Sequence, residues 1–331
     1  MDPDNEVEKK DPDNEVEKKG PDNEVEKKDP YNEVEKKDPD NEVEKKPLRH
    51  LVISGGGVAG FSFYGALRES NRNGVWNIDN IESIHGTSVG SLLAVMLALK
   101  YDWETLDDYL IKRPWQNLYK FNMYTLIEAL KKRGVFDIKV FEETLSPLFS
   151  GKDISVNVTM REFYEQTKID LHIYVTEIHG FTNIDISHKT HPDWRVVDAV
   201  YSSSSLPVLF SPLLIDGKCY CDGGFLTNYS VAAAIRGGAN PPEILGVSRV
   251  EYPSRKIEIT EESSLIDYGL ILIQRAMEKI LAPPQTIKIG VEYGIVGQRI
   301  SLYDIVNVAG SEEERKRLID AGVDYVKCLT M

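Results

Sequence analysis

From Pro47 onward, short apolar runs alternate with amphipathic stretches. Residues 50–53 form an apolar run that ends in a serine and a glycine cluster, which is typical of a buried strand feeding a tight turn. Residues 61–72 are helix-compatible and stop near a glycine. A second apolar run covers residues 81–85, and the almost wholly apolar residues 91–100 suit a buried helix. The pattern therefore predicts strand, helix, strand and helix in succession.

The same alternation continues to the end of the chain. It predicts a mostly helical region over residues 101–168 with breaks at Gly134 and Gly151, strands at 171–176, 244–247 and 286–291, a long amphipathic helix at 265–281, and a last helix from Ser311 with capping-box spacing to Glu314. Strands separated by helices indicate an α/β fold with a largely parallel sheet.

The first 46 residues follow a different pattern, because they consist of five copies of the unit DPDNEVEKK. Each copy has one proline, which breaks helices, and one valine, which is too little apolar surface to offset the entropy of ordering the backbone. We therefore expect residues 1–46 to be a disordered acidic tail and residues 47–331 to be one folded domain.

Charge divides along the same boundary. The whole chain carries 53 acidic and 39 basic residues, a net charge of −14. The repeats hold 18 acidic and 10 basic residues, so −8 belongs to the tail and −6 to the rest. An acidic chain disfavours nucleic acid as a partner. Three cysteines, no apolar leader and no apolar run long enough to span a bilayer predict a soluble cytoplasmic protein.

Glycines follow the first predicted strand. Gly55, Gly57 and Gly60 satisfy the G-x-G-x-x-G spacing of a dinucleotide site. That interpretation also requires an acidic residue at the tip of the second strand, where the sequence has His85-Gly86-Thr87-Ser88. The alternatives are that the loop amides form an oxyanion hole, or that the loop is a turn without a ligand.

A pentapeptide G-x-S-x-G spans Gly86, Ser88 and Gly90, between the second strand and the buried helix. In this context the serine occupies a sharp turn with its hydroxyl exposed, and the positive end of the following helix favours developing negative charge. The motif predicts Ser88 as a nucleophile.

A serine nucleophile requires a base. All six histidines lie within the first 191 residues, whereas the triad of α/β-hydrolases ends in a late histidine. His191 is early for this role, and His85 precedes Ser88 on the strand and is interpreted as structural. The remaining option is a carboxylate, for which the candidate is Asp222 in the sequence CDGG.

Taken together, these motifs resemble the patatin-like phospholipase family. The family combines, in order, a glycine-rich loop, a G-x-S-x-G serine, a serine-rich block leading to a proline, and a D-G-G aspartate. The chain has all four over residues 48–331, at Gly55 to Gly60, Gly86 to Gly90, Ser203 to Pro207, and Asp222 to Gly224.

The resemblance implies a three-layer α/β/α fold and a serine acyl hydrolase. It implies a Ser88–Asp222 dyad, an acyl-enzyme intermediate, and an oxyanion hole formed by the amides of Gly55, Gly56 and Gly57. The supporting motif residues are Gly60, Gly86, Gly90, Pro207, Gly223 and Gly224. The family mechanism requires neither a metal nor a cofactor. The expected substrates are ester lipids, which corresponds to a phospholipase A, a lysophospholipase or a non-specific lipid acyl hydrolase.

Two departures from the family concern substrate range more than catalysis. Ala59 stands where the family often has arginine, and Ser54 stands where many members have aspartate.

Two other signals are weaker. His188 and His191 are three residues apart, but a zinc site would need further ligands. Residues 101–150 combine aromatic and basic side chains, which is typical of helices packed on a core and is also compatible with peripheral contact with an anionic membrane. The hypotheses that compete with a lipid hydrolase are a dinucleotide-dependent oxidoreductase and a non-catalytic scaffold whose repeats recruit a partner.

Overall fold

A computed structural model describes residues 46–120, 123–250, 259–281, 287–297 and 301–330. The predicted disordered tail, apart from Lys46, lies outside these residues.

Ten strands are present in the described part of the chain. They are β1 (His50–Ile53), β2 (Ser83–Thr87), β3 (Gly134–Phe136), β4 (Asp170–Glu177), β5 (Thr182–Ile186), β6 (Val208–Phe210), β7 (Leu213–Ile215), β8 (Lys218–Asp222), β9 (Ile244–Val250) and β10 (Val291–Val296).

Helices separate most of these strands. They are α1 (Gly60–Arg72), α2 (Val89–Ala98), α3 (Trp103–Lys112), α4 (Met123–Lys132), α5 (Lys139–Ser150), α6 (Met160–Thr167), α7 (Val196–Ser204), α8 (Val231–Arg236), α9 (Leu265–Ile280), α10 (Leu302–Gly310) and α11 (Glu312–Thr330). Short 3₁₀ helices lie at Gly57–Ala59, Ile78–Asn80, Trp115–Asn117, Gly223–Phe225 and Pro241–Glu243.

The main sheet has the strand order β10-β9-β1-β2-β4-β8-β7, with β5 also paired to β4. The pairs from β10 to β4 are parallel, while β5, β7 and β8 pair in antiparallel fashion. Strands β3 and β6 form a separate parallel pair. A mostly parallel sheet flanked by helices confirms the predicted α/β fold.

Side chains alternate across the sheet and define two apolar layers. On β1, Leu51 and Ile53 belong to the large core, whereas Val52 belongs to a smaller cluster with residues of α8. Helices α1, α2, α7 and α11 cover the face of the large core. Strand β2, which pairs with β1 and ends directly before Ser88, is buried over its whole length.

One predicted strand is wrong in its position. The pattern predicts a strand over residues 286–291, but β10 occupies Val291–Val296, and residue 286 lies outside the described part of the chain. Pairing decides the position, because β10 runs in register with β9 from Val291 opposite Leu245 to Val296 opposite Val250. Just before the strand, the Gly290 amide donates to the carbonyl of Pro241. The predicted last helix is present, and Glu314 N donates to Ser311 Oγ at 3.1 Å, as its cap requires.

Candidate active site

Ser88 sits at the junction between β2 and α2. Its backbone has φ 54° and ψ −128°, a conformation that non-glycine residues rarely adopt. The turn is compact, since a Cβ on Gly90 would lie 2.2 Å from the carbonyl oxygen of Ile53, and one on Gly86 would lie 2.6 Å from that of Gly90. The two glycines of the pentapeptide are therefore required by close backbone approach. The N-terminus of α2 points at Ser88, which is its N-cap.

Strand β4 brings Ser88 and Asp222 together. Residues 173–177 of β4 pair with β5 along one edge, so the opposite edge receives both β2 and β8. Thr87, the last residue of β2, pairs with Tyr174, and Asp222, the last residue of β8, pairs with Val175. Consecutive positions of one strand thus hold the ends of two others. This arrangement places residues 134 positions apart in sequence next to each other.

A hydrogen bond joins the two side chains. Ser88 Oγ donates to Asp222 Oδ2 at 2.8 Å, and the other carboxylate oxygen accepts from the Gly224 amide at 2.7 Å. Both side chains are buried, with exposed fractions of 8% for Ser88 and 3% for Asp222. Burial raises the pKa of Asp222 to about 6, although the hydrogen bonds from Gly224 and Ser88 act in the opposite direction. The carboxylate is ionised at neutral pH yet basic enough to accept a proton.

Ser203 supports the serine elbow, a role that the sequence pattern did not reveal. The Ser88 amide donates to Ser203 Oγ at 2.9 Å, and that hydroxyl donates to the carbonyl of Tyr174 at 2.7 Å. Ser203 belongs to the serine run of the family motif. Its specific task depends on the packing of α7 against β4, which no local pattern encodes.

The glycine loop lies beside Ser88, but its three predicted oxyanion donors are not equivalent. The Gly55 amide donates to the carbonyl of Asn228 at 3.1 Å, so it is already occupied and the inclusion of Gly55 is corrected. Gly57 has φ 56° and begins a 3₁₀ helix. Gly56 and Gly57 remain the candidate donors.

The other predicted motif residues surround the pair. A Cβ on Gly60 would lie 2.3 Å from Val89 Cγ2, and one on Gly223 would lie 2.1 Å from the Tyr174 carbonyl oxygen. Pro207 follows Leu206, which contacts the same cavity as Ser88 and Asp222. These residues let the glycine loop, the elbow and the aspartate approach one another closely.

The two histidine candidates for the base, His85 and His191, make hydrogen bonds to residues other than Ser88. His85 is buried on β2, with its ring nitrogens within hydrogen-bond distance of Ser83 Oγ and Tyr174 OH. His191 contacts Thr190 Oγ1. The hydrogen-bond acceptor of the Ser88 hydroxyl is Asp222. Over the described residues, no group of three or more His, Cys, Asp or Glu side chains is arranged to hold a metal ion.

Two cavities meet at the Ser88–Asp222 pair. The larger, of about 160 Å³, is lined almost entirely by apolar side chains from α2, α10 and the segment around Trp115. The smaller, of about 70 Å³, is lined by Gly55, Gly56 and polar groups of which Asn228, Arg249 and Gln274 are examples. The two cavities therefore differ in character, since the larger is almost entirely apolar and the smaller combines polar groups with Leu206, Met277 and Leu281.

The aromatic residues of the 101–150 segment pack inward where they are described. Trp115 is buried and donates to the Leu110 carbonyl, Tyr101 donates to the Leu148 carbonyl, and Trp103 donates to Asn71. Phe121 and the side chain of Tyr124 lie outside the described residues. Among the helices in the ranges given above, none combines the length and apolar character needed to cross a bilayer.

The sheet, the flanking helices and the serine elbow define an α/β protein with a candidate site at the carboxyl ends of its parallel strands. The family model for patatin-like phospholipases matches residues 51–235, more than half of the chain. The chain belongs to the patatin-like phospholipase family.

Curated relatives include two viral proteins and a yeast enzyme. An uncharacterized protein of Acanthamoeba polyphaga mimivirus is 30% identical over 184 residues, which cover 56% of this chain and 60% of that protein. A probable lipid hydrolase of Invertebrate iridescent virus 6 is 27% identical over 189 residues, covering 56% and 63%. Lysophospholipase NTE1 of Scheffersomyces stipitis is 28% identical over 193 residues, covering 57% of this chain and 11% of that enzyme. The matched region thus spans less than two thirds of each relative.

Similar solved structures include bacterial proteins. VipD from Legionella pneumophila has a TM-score of 0.43 and 14% identity, covering 82% of this chain and 67% of that one. The type III effector ExoU has a TM-score of 0.35 and 11% identity, covering 85% and 54%.

Proposed function

We propose that this protein hydrolyses carboxylic esters of lipids through a Ser88–Asp222 dyad. The observation that carries the proposal is the 2.8 Å hydrogen bond from Ser88 Oγ to Asp222 Oδ2, placed where an apolar cavity meets a smaller cavity of mixed lining. Neither feature alone indicates lipid hydrolysis. Together they provide a nucleophile, its base and an apolar cavity for the acyl part of an ester.

The reaction proceeds in two halves. Ser88 Oγ attacks the ester carbonyl carbon while Asp222 Oδ2 takes the hydroxyl proton. The amides of Gly56 and Gly57 and the N-terminus of α2 stabilise the negative charge on the carbonyl oxygen. The bond to the alcohol then breaks, and Asp222 returns the proton to the leaving oxygen. An acyl ester remains on Ser88.

Water completes the cycle. Asp222 takes a proton from water as the water oxygen attacks the acyl carbon, and Ser88 leaves with that proton as the fatty acid is released. A carboxylate with a pKa of about 6 suits both tasks, because it is ionised at neutral pH and holds a proton transiently.

The apolar cavity favours a lipid substrate over a polar ester. The names of the relatives point the same way, since one is a probable lipid hydrolase and another a lysophospholipase. We assign glycerophospholipids and lysophospholipids as the substrate class, which makes the enzyme a phospholipase A or lysophospholipase.

The dinucleotide interpretation of Gly55, Gly57 and Gly60 is less well supported. Gly55 donates its amide to the Asn228 carbonyl, and a Cβ on Gly60 would strike Val89. The glycines are thus explained by packing against the elbow and its surroundings. A non-catalytic scaffold would have no need for a buried carboxylate that accepts a serine hydroxyl.

Covalent labelling with a fluorophosphonate probe tests the proposal. We expect the wild type to be labelled and Ser88→Ala to be unlabelled, because the probe reports an activated serine. Ser204→Ala is the matched control, since Ser204 lines the same apolar cavity and should leave labelling intact. Equal labelling of Ser88→Ala, or an unlabelled wild type, would refute the proposal.

A further inference from the structure

The apolar cavity follows one face of α2. Val89, Leu92, Leu93 and Met96 all line it. Their spacing of three, four and seven residues from the first places them on one side of the helix. The cavity therefore extends along the helix that begins directly after the nucleophile.

The length of this wall follows from helix geometry. Met96 is eight residues beyond Ser88, and an α-helix rises about 1.5 Å per residue, so the wall extends about 12 Å from the nucleophile. A fully extended hydrocarbon advances about 1.3 Å per carbon, given C–C bonds of about 1.5 Å. The wall therefore matches an acyl chain of about ten carbons.

Part of the cavity lining lies deep in the protein, and Met96 is the last α2 residue in that lining. Met96 is 1% exposed, Thr144 3% and Leu110 6%, and all three line the cavity. The Thr144 side chain lines the cavity from α5, and its hydroxyl donates to the Val140 carbonyl at 2.6 Å. The volume of about 160 Å³ corresponds to roughly ten water-sized units, which agrees with one chain of this length.

We propose that the acyl chain lies along α2 in the apolar cavity and that Met96 determines the preferred chain length. The inference rests on the proposed ester hydrolysis at Ser88 and adds a substrate class to it, namely esters of medium-chain fatty acids. An acyl group of about ten carbons fills the wall from Ser88 to Met96. Longer chains meet the Met96 side chain before the carbonyl reaches Ser88.

The competing path leaves the cavity sideways. Phe61, Leu92 and Ile305 line the cavity and are only half-buried. A chain that passed between them would extend into solvent or lipid, and its length would not be limited by Met96. The two paths differ in one measurable property, the dependence of kcat/KM on chain length.

A series of p-nitrophenyl esters from 4 to 16 carbons distinguishes the paths, with rates normalised to the sites labelled by fluorophosphonate. For the wild type we expect kcat/KM to peak near ten carbons and to fall about tenfold or more by sixteen, because the added methylenes have no room. Met96→Ala should move the peak to longer chains, and Met96→Phe should move it to shorter ones.

Met277→Ala is the matched control. Met277 lines the smaller cavity and does not line the apolar one, so its truncation should leave the position of the peak unchanged. Thr144, like Met96, is a deeply buried residue of the cavity lining, so Thr144→Leu reduces the space for the acyl chain and should shorten the preferred chain. This variant provides the test if Met96→Ala does not fold.

Two outcomes have different meanings. A wild-type profile that rises to sixteen carbons, or a peak that stays in place in Met96→Phe and Thr144→Leu, would overturn the proposed role of Met96 in chain-length preference. The proposed ester hydrolysis would be unaffected by that result. A wild type that cleaves no ester of the series, the four-carbon one included, would overturn the proposed function and, with it, the proposed role of Met96.

Discussion

Near the two ends of β4 lie two carboxylates in opposite electrostatic situations, of which Asp222 is buried and Asp170 is partly buried. Where β4 meets β8, the Asp222 carboxylate accepts from two neutral donors, the Ser88 hydroxyl and the Gly224 amide. At the start of β4, Asp170 is bonded to Lys189 and lies 3.4 Å from the ring of His172. Burial raises the pKa of Asp222 to about 6. For Asp170 burial acts in the same direction, but the hydrogen bonds from His172 and Lys189 hold its pKa well below the usual range.

His172 is a cationic partner of Asp170 at the start of β4. Burial alone would lower its pKa, but the hydrogen bonds to Asp170 and Asp185 raise it to about 9, so the ring is charged at neutral pH. It stacks on His85 at 4.3 Å, and burial followed by the charge of His172 keeps the pKa of His85 well below its ordinary value. One end of β4 is therefore arranged for stability.

The difference shows where the fold gives up stability for chemistry. A carboxylate without a cationic hydrogen-bond partner is costly to bury, and the same cost makes it a better base. A carboxylate paired with His172 and Lys189 stabilises the fold but is a poor base, because its proton affinity is low. Two substitutions, Asp222→Asn and His172→Asn, test this contrast in three measurements.

The largest expected effect is the loss of activity in Asp222→Asn. An amide cannot take the Ser88 proton, so kcat/KM should fall by about 100-fold or more. In the wild type kcat/KM should rise with pH through about 6, as Asp222 ionises, and this limb should be absent from the residual activity of the variant. Stopped-rate assays of ester hydrolysis between pH 4.5 and 8 measure both.

Asp216→Asn is the control for this experiment, because Asp216 is an exposed carboxylate in the turn leading into β8. It should keep the wild-type rate and the acidic limb. An Asp222→Asn variant with full activity, or with the same limb, would show that another group is the base.

The next largest effect concerns the contribution of the His172–Asp170 pair, at the start of β4, to the free energy of unfolding. His172→Asn should lower the free energy of unfolding by on the order of 3 kcal/mol, because it removes one partner of Asp170 from a partly buried ion pair and with it the raised pKa of His172. The pKa of His172 is raised on folding, so its contribution is fully present below about pH 6.5 and is lost as the pH rises through 9. Urea unfolding should show the difference between variant and wild type shrinking between pH 6 and pH 9.5.

His179→Asn is the matched control, since His179 pairs with Glu177 but its side chain is 64% exposed. Its effect should stay within about 0.5 kcal/mol at either pH. A pH-independent loss in His172→Asn would mean that packing, and not charge, explains the contribution of His172.

The smallest effect is a gain in stability in Asp222→Asn. The folded-state pKa of Asp222 is raised, so its favourable contribution is present below about pH 3.8 and is lost as the pH rises through 6. A permanently neutral amide avoids that loss, and at pH 8 the variant should be more stable by roughly 1–3 kcal/mol. Thermal melting at pH 8 and pH 4 should show the gain at pH 8 only; destabilisation at both would remove the contrast between the two ends of β4.

Local patterns predicted the elements around the nucleophile well. The glycine loop, the elbow and α2 are contiguous in sequence, so turn chemistry and hydrophobic pattern suffice to place Ser88. The strand at Val291–Val296 was misplaced because the pairing partner β9 sets its register, and a partner 46 residues away leaves no local signal. The histidine positions and the sequence CDGG make Asp222 the candidate base, and the family motif supports it, but its geometry depends on the pairing of β8 with β4.

The sequence by itself determined that Ser88 lies on a strained turn after a buried strand and before an apolar helix, because glycines and apolar runs act over a few residues. Only the tertiary structure decided that Asp222 meets Ser88, that Ser203 holds the Ser88 amide, and that the Gly55 amide is already occupied. Those contacts join segments far apart in the chain. They arise from strand pairing along one edge of β4 and helix packing across the sheet, which no single stretch of sequence specifies.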